Sequence, residues 1–113
     1  MSPPAAPTPP VSELKALALR LQDFADARQW GPFHSPKNLA SALIVESGEL
    51  LEHFQWLTEA QSRALAPEQK QAVAHEMADV LLYLVQLASA LDVDLMQAAH
   101  EKMAINEGRF PPV

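Results

Sequence analysis

Apolar residues recur at spacings of three and four along the chain from residue 12 onwards, which is the pattern of helices that bury one face. The pattern predicts four principal helices and one short helical turn between the second and the third. We expect these elements at residues 12–29, 36–57, 58–61, 67–91 and 94–108. No segment alternates polar and apolar residues as a strand does. The sequence therefore predicts an all-α fold, a bundle of four helices.

Residues that favour helix ends stand at several of these boundaries. Ser12 and Ser35 occupy N-cap positions, and Pro36 follows at the first helical position, where its fixed backbone angle suits a helix. Asp94 is a further N-cap, and Gly108 favours the end of the last helix. These signals support the predicted boundaries independently of the apolar spacing.

The first residues differ in composition from the rest of the chain. Half of the ten prolines fall within residues 1–10, among Ala, Ser and Thr, and such a segment has too few large apolar side chains to pack. We therefore expect a flexible Pro-rich tail at residues 1–11. Residues 12–113 are predicted to form a single domain, which is long enough to fold alone.

Composition and charge argue against several classes of protein. The chain has no cysteine, so a disulfide scaffold is excluded. It has 14 acidic and 8 basic residues and a net charge of -6, and the scattered basic residues argue against binding to a nucleic-acid backbone. Neither an apolar run of about 18 residues nor an export signal is recognisable. We expect a cytoplasmic protein that binds neither membranes nor nucleic acids.

Two pairs of carboxylates interrupt the apolar faces of the second and third helices. Glu46 falls in the middle of one apolar stripe, and Glu49 lies three residues later at its edge. Glu76 and Asp79 border the other stripe at the same spacing. Buried carboxylates are costly unless a cation compensates their charge. Oxygen donors without cysteine or a close pair of histidines favour Mg²⁺, with Mn²⁺ as a substitute.

Solvent is the ordinary environment of Glu and Asp, and an isolated pair would be assigned to the surface. Two pairs on separate helices, with Glu46 inside an apolar stripe, favour a metal site instead. A di-iron carboxylate bundle requires Glu-x-x-His on two helices, and this chain contains no Glu-x-x-His. The pattern therefore favours a hard divalent cation.

Aromatic residues cluster near the two ends of the second helix. Trp30, Phe33 and His34 lie in the loop before it, and Trp56 lies close to its predicted end. Packing in a core or an interface is the commoner role of tryptophan. Beside a polyphosphate site, however, flat aromatic rings also suit a nucleobase.

Two groups of polar residues are candidates for binding an anion. Lys37 and Asn38 lie in the first turn of the second helix, where free backbone N–H groups favour negative charge. Lys102, Asn106 and Arg109 form one stripe on the last helix and can reach phosphates from there. Taken alone, these three residues are better explained as a solvated surface.

The pattern Glu46-x-x-Glu49 followed by Glu76-x-x-Asp79 is similar to the metal motif of the MazG-like all-α nucleoside triphosphate pyrophosphohydrolases. Within that superfamily the chain most resembles the small dCTP pyrophosphatases. The resemblance runs from about Leu14 to Pro111. It rests on the segments RQW at 28–30, FHSPKNL at 33–39, ESGEL at 46–50, FQW at 54–56, DVLLYL at 79–84 and KMAIN at 102–106.

The resemblance implies Mg²⁺-dependent hydrolysis of a dNTP, dCTP or a modified dCTP above all, to the monophosphate and pyrophosphate. The four carboxylates would hold the metal. Aromatic residues would contribute to the base pocket, and basic and amide residues would lie near the phosphates or the sugar. The substrate-binding residues implied in this way are Trp30, His34, Trp56, Tyr83, Lys102, Asn106 and Arg109. Before Arg109, Glu107-Gly108 replaces what is often a basic pair in the family.

In this mechanism metal ions neutralise the developing charge while a water attacks in line. Glu49 is the candidate for orienting or deprotonating the water, because its edge position keeps it close to both metal and solvent. Leu81, Leu82 and Val85 give the third helix a second apolar face. With the family resemblance, this face predicts a homodimer or homotetramer whose sites draw on more than one copy.

Two other functions stay open at this point. One is a pyrophosphohydrolase of broad specificity or one directed to dUTP, because aromatic stacking does not distinguish the hydrogen-bonding edges of the bases. The other is a non-catalytic helical module that dimerises and binds a nucleotide. The complete set of four carboxylates favours the enzyme, since an interaction module has no use for Glu46 inside its apolar stripe.

Overall fold

The structure, a computed structural model, describes residues 12–113, and the predicted tail at 1–11 lies outside the described residues. The described part contains helices and turns but no strand, so the all-α prediction is confirmed. No helix in this part has both the length and the apolar character that a membrane crossing needs. The helices are α1 (Glu13–Ala27), α2 (Pro36–Glu52), α3 (Glu59–Ser62), α4 (Pro67–Ala90) and α5 (Leu95–Arg109), with one 3-10 turn at Gly31–Phe33.

Side-chain caps fix the starts of four of these helices. At each of them the capping side chain accepts a hydrogen bond from the backbone N–H three residues later, which satisfies a donor that has no partner within the helix. The capping residues are Ser12, Ser35, Thr58 and Asp94. At Thr58 the side chain of Gln61 also accepts from the backbone N–H of the cap, which completes a capping box. The predicted helix starts agree with the structure to within one residue.

Two helices end in a left-handed residue that is not glycine. Gln29, with φ 55°, follows α1, and Asp92, with φ 53°, follows α4. After Gln29, the backbone N–H of Trp30 donates to the carbonyl of Ala25 at 3.0 Å, which is the long hydrogen bond of a Schellman motif. This motif ends α1 before its predicted end at residue 29 and fixes the backbone of Trp30 against the helix.

Helix α2 ends at Glu52, five residues before the end predicted at Leu57. The chain continues in tight turns, in which the backbone N–H of Leu57 donates to the carbonyl of Phe54 at 2.9 Å. Successive turns of this kind keep apolar side chains three residues apart, as a helix does. The spacing of Phe54 and Leu57 therefore does not distinguish the turns from a continuing helix.

The core forms where α2 and α1 pack against α4. Leu39 of α2 and Val85 of α4 are each 2% exposed, and Ala25 of α1 and Ala88 of α4 are buried with them. Leu39 shares a cavity with the second half of α4, whereas Glu49, near the end of α2, approaches the first half of α4. Helices α2 and α4 are therefore antiparallel.

Helix α5 packs little against the other described helices. It carries no buried residue, and its Met103 and Ile105 are 56% and 59% exposed. Of the four long helices, α5 is therefore the one that the rest of the described chain covers least.

We predict that Leu39→Ala lowers the free energy of unfolding by about 2–5 kcal/mol, the range found for Leu-to-Ala changes in cores. The matched change Leu91→Ala, at a side chain that is 55% exposed, is expected to cost less than about 1 kcal/mol. Urea unfolding followed by circular dichroism measures both values. Equal losses in the two variants would contradict the assignment of the core.

Candidate metal centre

Three carboxylates meet between α2 and α4. One oxygen from each of Glu46, Glu49 and Glu76 lies within 4.8 Å of the other two. Glu46 and Glu49 belong to the same face of α2 because residues three apart are neighbours on a helix. The antiparallel pairing of α2 with α4 places Glu76 opposite them. The cluster thus contains both members of the first predicted pair and one member of the second.

Burial leaves part of this cluster without hydrogen-bond partners. The Oε2 atoms of Glu46 and Glu76 are buried, and the described residues offer neither of them a hydrogen bond. Such an unsatisfied polar atom costs roughly 1–3 kcal/mol, and more when it is charged. Both oxygens are therefore available to a ligand that approaches between the helices.

The environment of Glu46 opposes its ionisation. Desolvation by burial, followed by the close approach and the negative charge of the Glu49 carboxylate, raises the pKa of Glu46 from its ordinary value of 4.5 to about 7. Glu76 and Asp79 act in the same direction. A carboxyl surrounded by other carboxyls keeps its proton up to a higher pH, since its ionisation adds a like charge at short range.

Asp79, the fourth predicted carboxylate, is exposed. Its charge contributes to the raised pKa of Glu46, but its carboxylate is not one of the three that meet within 4.8 Å. Asp79 follows Glu76 by three residues on α4 and therefore shares its face.

The donor set of this cluster suits a divalent metal ion. All the candidate ligand atoms are carboxylate oxygens, which are the donors of hard cations, and two of them lack any other partner. A divalent cation would compensate the repulsion that raises the pKa of Glu46. The residues present therefore fit a divalent metal.

The structure places Trp30 and His34 side by side at the start of α2. Their ring centroids are 5.9 Å apart, and Phe24 of α1 meets Trp30 edge-to-face at 5.6 Å. Trp30 is 41% exposed, so one part of its ring packs and another part stays accessible. Trp56 is 86% exposed and is not part of this group, so core packing within one copy does not explain it.

The other predicted substrate-binding residues lie in three places. The side-chain amide of Asn38 donates to the carbonyl of Phe33 at 3.0 Å and so ties the 3-10 turn to α2, while Lys37 is exposed beside it. Tyr83 is half-buried on α4, one turn after Asp79. The three remaining residues, Lys102, Asn106 and Arg109, lie on α5. Because α5 packs little against the other described helices, one copy of the chain does not bring them to the carboxylates.

The apolar periodicity did not indicate a cavity of about 200 Å³ that lies beside His34. Residues from α1, the 3-10 turn, α2 and α4 line it, among them His34, Leu39 and Gln86. Gln86 is a polar residue within the apolar second half of α4. This polar residue was the feature of the sequence that could have indicated the cavity. A larger cavity of about 650 Å³, between the starts of α1 and α5 and the end of α4, is lined by none of the predicted site residues.

Comparisons with known proteins show which family and which relatives the chain is similar to. The sequence model of the MazG-like family matches residues 42–111. The chain is 43% identical to dCTP pyrophosphatase 1 of Mus musculus and 41% identical to that of Homo sapiens, in each case over 94% of this chain and 62% of the relative. It therefore spans less than two thirds of the length of these relatives.

Among solved structures, the chain is similar to a pyrophosphatase from Archaeoglobus fulgidus. The TM-score is 0.86 at 33% sequence identity, and the match covers 95% of this chain and all of the other. The similarity thus extends over nearly the whole chain, beyond the segment matched by the family model.

We predict that Glu46→Gln stabilises the metal-free protein at high pH. The folded-state pKa of Glu46 is raised, so its contribution to stability is fully present below pH 4.5 and is lost as the pH rises through about 7. Glutamine resembles the protonated carboxyl. With a chelator present, the free energy of unfolding of the variant should exceed that of the wild type at pH 8.5, by on the order of 1 kcal/mol after solvent screening.

The difference between the two proteins should shrink towards zero at pH 4.5, and urea unfolding at the two pH values measures it. A variant that is less stable than the wild type at pH 8.5 would contradict the electrostatic account of Glu46.

Proposed function

Because the chain belongs to the MazG-like family, we propose that it is a Mg²⁺-dependent nucleoside triphosphate pyrophosphohydrolase. In this proposal it converts a dNTP, with dCTP or a modified dCTP as the preferred substrate, to the monophosphate and pyrophosphate. The observation that carries the proposal is the half-buried carboxylate cluster with its two buried, unpartnered oxygens. The names of its relatives, dCTP pyrophosphatase 1, support the choice of substrate.

In this proposal Glu46, Glu49, Glu76 and Asp79 hold the metal. When bound, Mg²⁺ supplies charge neutralisation for the phosphates and lowers the pKa of a coordinated water. The carboxylates by themselves would repel a triphosphate. This repulsion excludes the substrate from the site until the cation is present.

Glu49 is the proposed base of the reaction. It is half-buried, and its carboxylate meets those of Glu46 and Glu76, each of which has one unpartnered oxygen. As the oxygen of water forms a bond to the α-phosphorus, its proton passes to the carboxylate of Glu49. The bond from the α-phosphorus to the bridging oxygen breaks, and that oxygen leaves with pyrophosphate.

The substrate-binding residues divide between two copies of the chain in this proposal. Trp30 and His34 of one copy lie beside the nucleobase of the substrate. Lys37, Asn38 and Tyr83 border the same region. A second copy supplies Trp56 and α5, which carries Lys102, Asn106 and Arg109. The support is that Trp56 is 86% exposed and that α5 packs little within one described copy.

Exposed apolar residues on α2 also support self-association. Ile44 and Leu51 lie seven residues apart on one face and are 70% and 63% exposed. A second copy that covered this face would remove both from water, which is favourable by roughly 25 cal/mol per Å² of apolar surface. We therefore propose that the 12–113 domain forms a homodimer or homotetramer. The proposal also places the protein in the cytoplasm, with a nucleotide as its ligand and neither nucleic acid nor membrane as a partner.

The direct test is a panel of dNTPs and NTPs incubated with and without Mg²⁺, with separation of the products. The proposal expects metal-dependent formation of monophosphate and pyrophosphate, fastest with dCTP or a 5-substituted dCTP. Equal rates across the panel would identify an enzyme of broad specificity instead. No turnover by the folded protein with Mg²⁺ or Mn²⁺ would contradict the enzymatic proposal and favour a nucleotide-binding module.

We predict that Glu46→Ala abolishes turnover, with a loss of at least about 100-fold in kcat, because it removes a metal-binding oxygen at the centre of the cluster. Circular dichroism and size-exclusion chromatography should show an unchanged helix content and oligomer. The matched control Glu68→Ala removes an exposed carboxylate in the first turn of α4 and should keep its activity. Retained activity in Glu46→Ala would refute the metal-site assignment.

We predict that Ile44→Glu weakens the oligomer, because a charge on the shared face must be desolvated when the copies meet. Light scattering after size-exclusion chromatography should show a smaller species, and turnover should fall with it if a second copy completes the site. An oligomer and an activity identical to the wild type would exclude this face of α2 from the interface.

A further inference from the structure

The polar stripe on α4 extends beyond the carboxylates. Glu76, Asp79, Tyr83 and Gln86 follow one another at intervals of three, four and three residues, and this spacing keeps all four on one face of a helix. The first three are already placed in the proposed site. Gln86 is the fourth member of the stripe, and the proposed reaction does not use it.

The amide of Gln86 has a defined orientation. Its Nε2 donates a hydrogen bond to the backbone carbonyl of Leu82 at 3.2 Å. A carbonyl oxygen only accepts, so the nitrogen faces the helix and Oε1 is the atom left free to accept. Gln86 is half-buried and lines the cavity of about 200 Å³ together with Leu39 and His34. The side chain therefore offers a hydrogen-bond acceptor to a molecule in this cavity.

The cavity lies at a suitable distance from the carboxylates for one nucleotide. Along α4, Gln86 follows Asp79 by seven residues, and along α2, Leu39 precedes Glu46 by seven residues. Each interval corresponds to about 10 Å of helix. A nucleotide whose phosphates meet the carboxylates can extend over this distance and place its base in the cavity. The ring of His34, whose centroid lies 5.9 Å from that of Trp30, is the aromatic part of the cavity lining.

We propose that Gln86 determines base specificity, with its Oε1 accepting a hydrogen bond from the exocyclic amine of a cytosine-type base. This inference rests on the proposed function and names the group that selects the substrate. Cytosine carries an amino donor at the position where uracil and thymine carry a carbonyl acceptor. A carbonyl facing Oε1 would leave two buried acceptors without a donor, and sites that hydrogen-bond their substrate reject analogues in this way.

The test replaces the acceptor without changing the bulk of the side chain. Gln86→Leu is compared with the wild type and with Gln71→Leu, a control on an exposed part of α4. Gln86→Met, which keeps the length of the side chain, replaces Gln86→Leu if thermal melting shows that leucine destabilises the fold. The two readouts are kcat/KM for dCTP and dUTP, and the dissociation constants of dCMP and dUMP by calorimetry.

The expected result is that the ratio of kcat/KM for dCTP to kcat/KM for dUTP falls at least about tenfold, mainly because the KM for dCTP rises. A tenfold fall corresponds to a loss of about 1.4 kcal/mol in discrimination between the two substrates. The preference for dCMP over dUMP should fall in parallel, and Gln71→Leu should match the wild type. Unchanged ratios in an active Gln86 variant would overturn the proposal.

The binding readout separates this inference from the proposed function. If the wild type hydrolyses no triphosphate, the proposed function fails, while a dCMP preference that Gln86→Leu removes would still support the role of Gln86. A wild type that binds dCMP and dUMP equally would overturn the inference even if it is an active pyrophosphohydrolase.

Discussion

Repulsion among carboxylates held between two helices is the constraint on which the structure of the site depends. Helices α2 and α4 pack through apolar residues such as Leu39 and Val85, and this packing brings Glu46, Glu49 and Glu76 within 4.8 Å of one another. The raised pKa of Glu46 and the unpartnered oxygens indicate that this arrangement costs free energy in the folded protein. A small domain has little stability to offset such a cost, so a ligand that removes it is the simplest explanation of why the carboxylates are there.

The antiparallel pairing of α2 with α4 also gives the site its direction. The carboxylates lie near the end of α2, while the cavity and the Trp30–His34 pair lie near its start. Tyr83 occupies the interval between Asp79 and Gln86 on α4. One pair of helices therefore has a charged end and a partly aromatic end, which the proposed function assigns to the phosphates and to the base of a nucleotide.

The sequence predicts the parts of this structure that depend on residues near one another in the chain. Helix starts follow from caps such as Ser35 and Asp94, and the meeting of Glu46 with Glu76 follows from the apolar stripes that face each other. The early end of α2 was not predictable, because tight turns preserve the spacing of Phe54 and Leu57. The cavity was not predictable either, since four separate segments form it and only Gln86 marks it in the sequence. The surface that α5 would pack against in the proposed oligomer was not predictable, because it would belong to a second copy.

The most direct test of the central claim is a calorimetric titration of Mg²⁺ into the wild type and Glu76→Gln at pH 8, without nucleotide. Glu76 contributes one of the two buried, unpartnered oxygens, and at this pH most of the Glu46 carboxyl is ionised. We predict saturable binding to the wild type and at least about a tenfold weaker binding to the variant, the minimum expected when a ligand to a metal is removed. Equal affinities, or no binding to the wild type, would contradict a metal centre between α2 and α4.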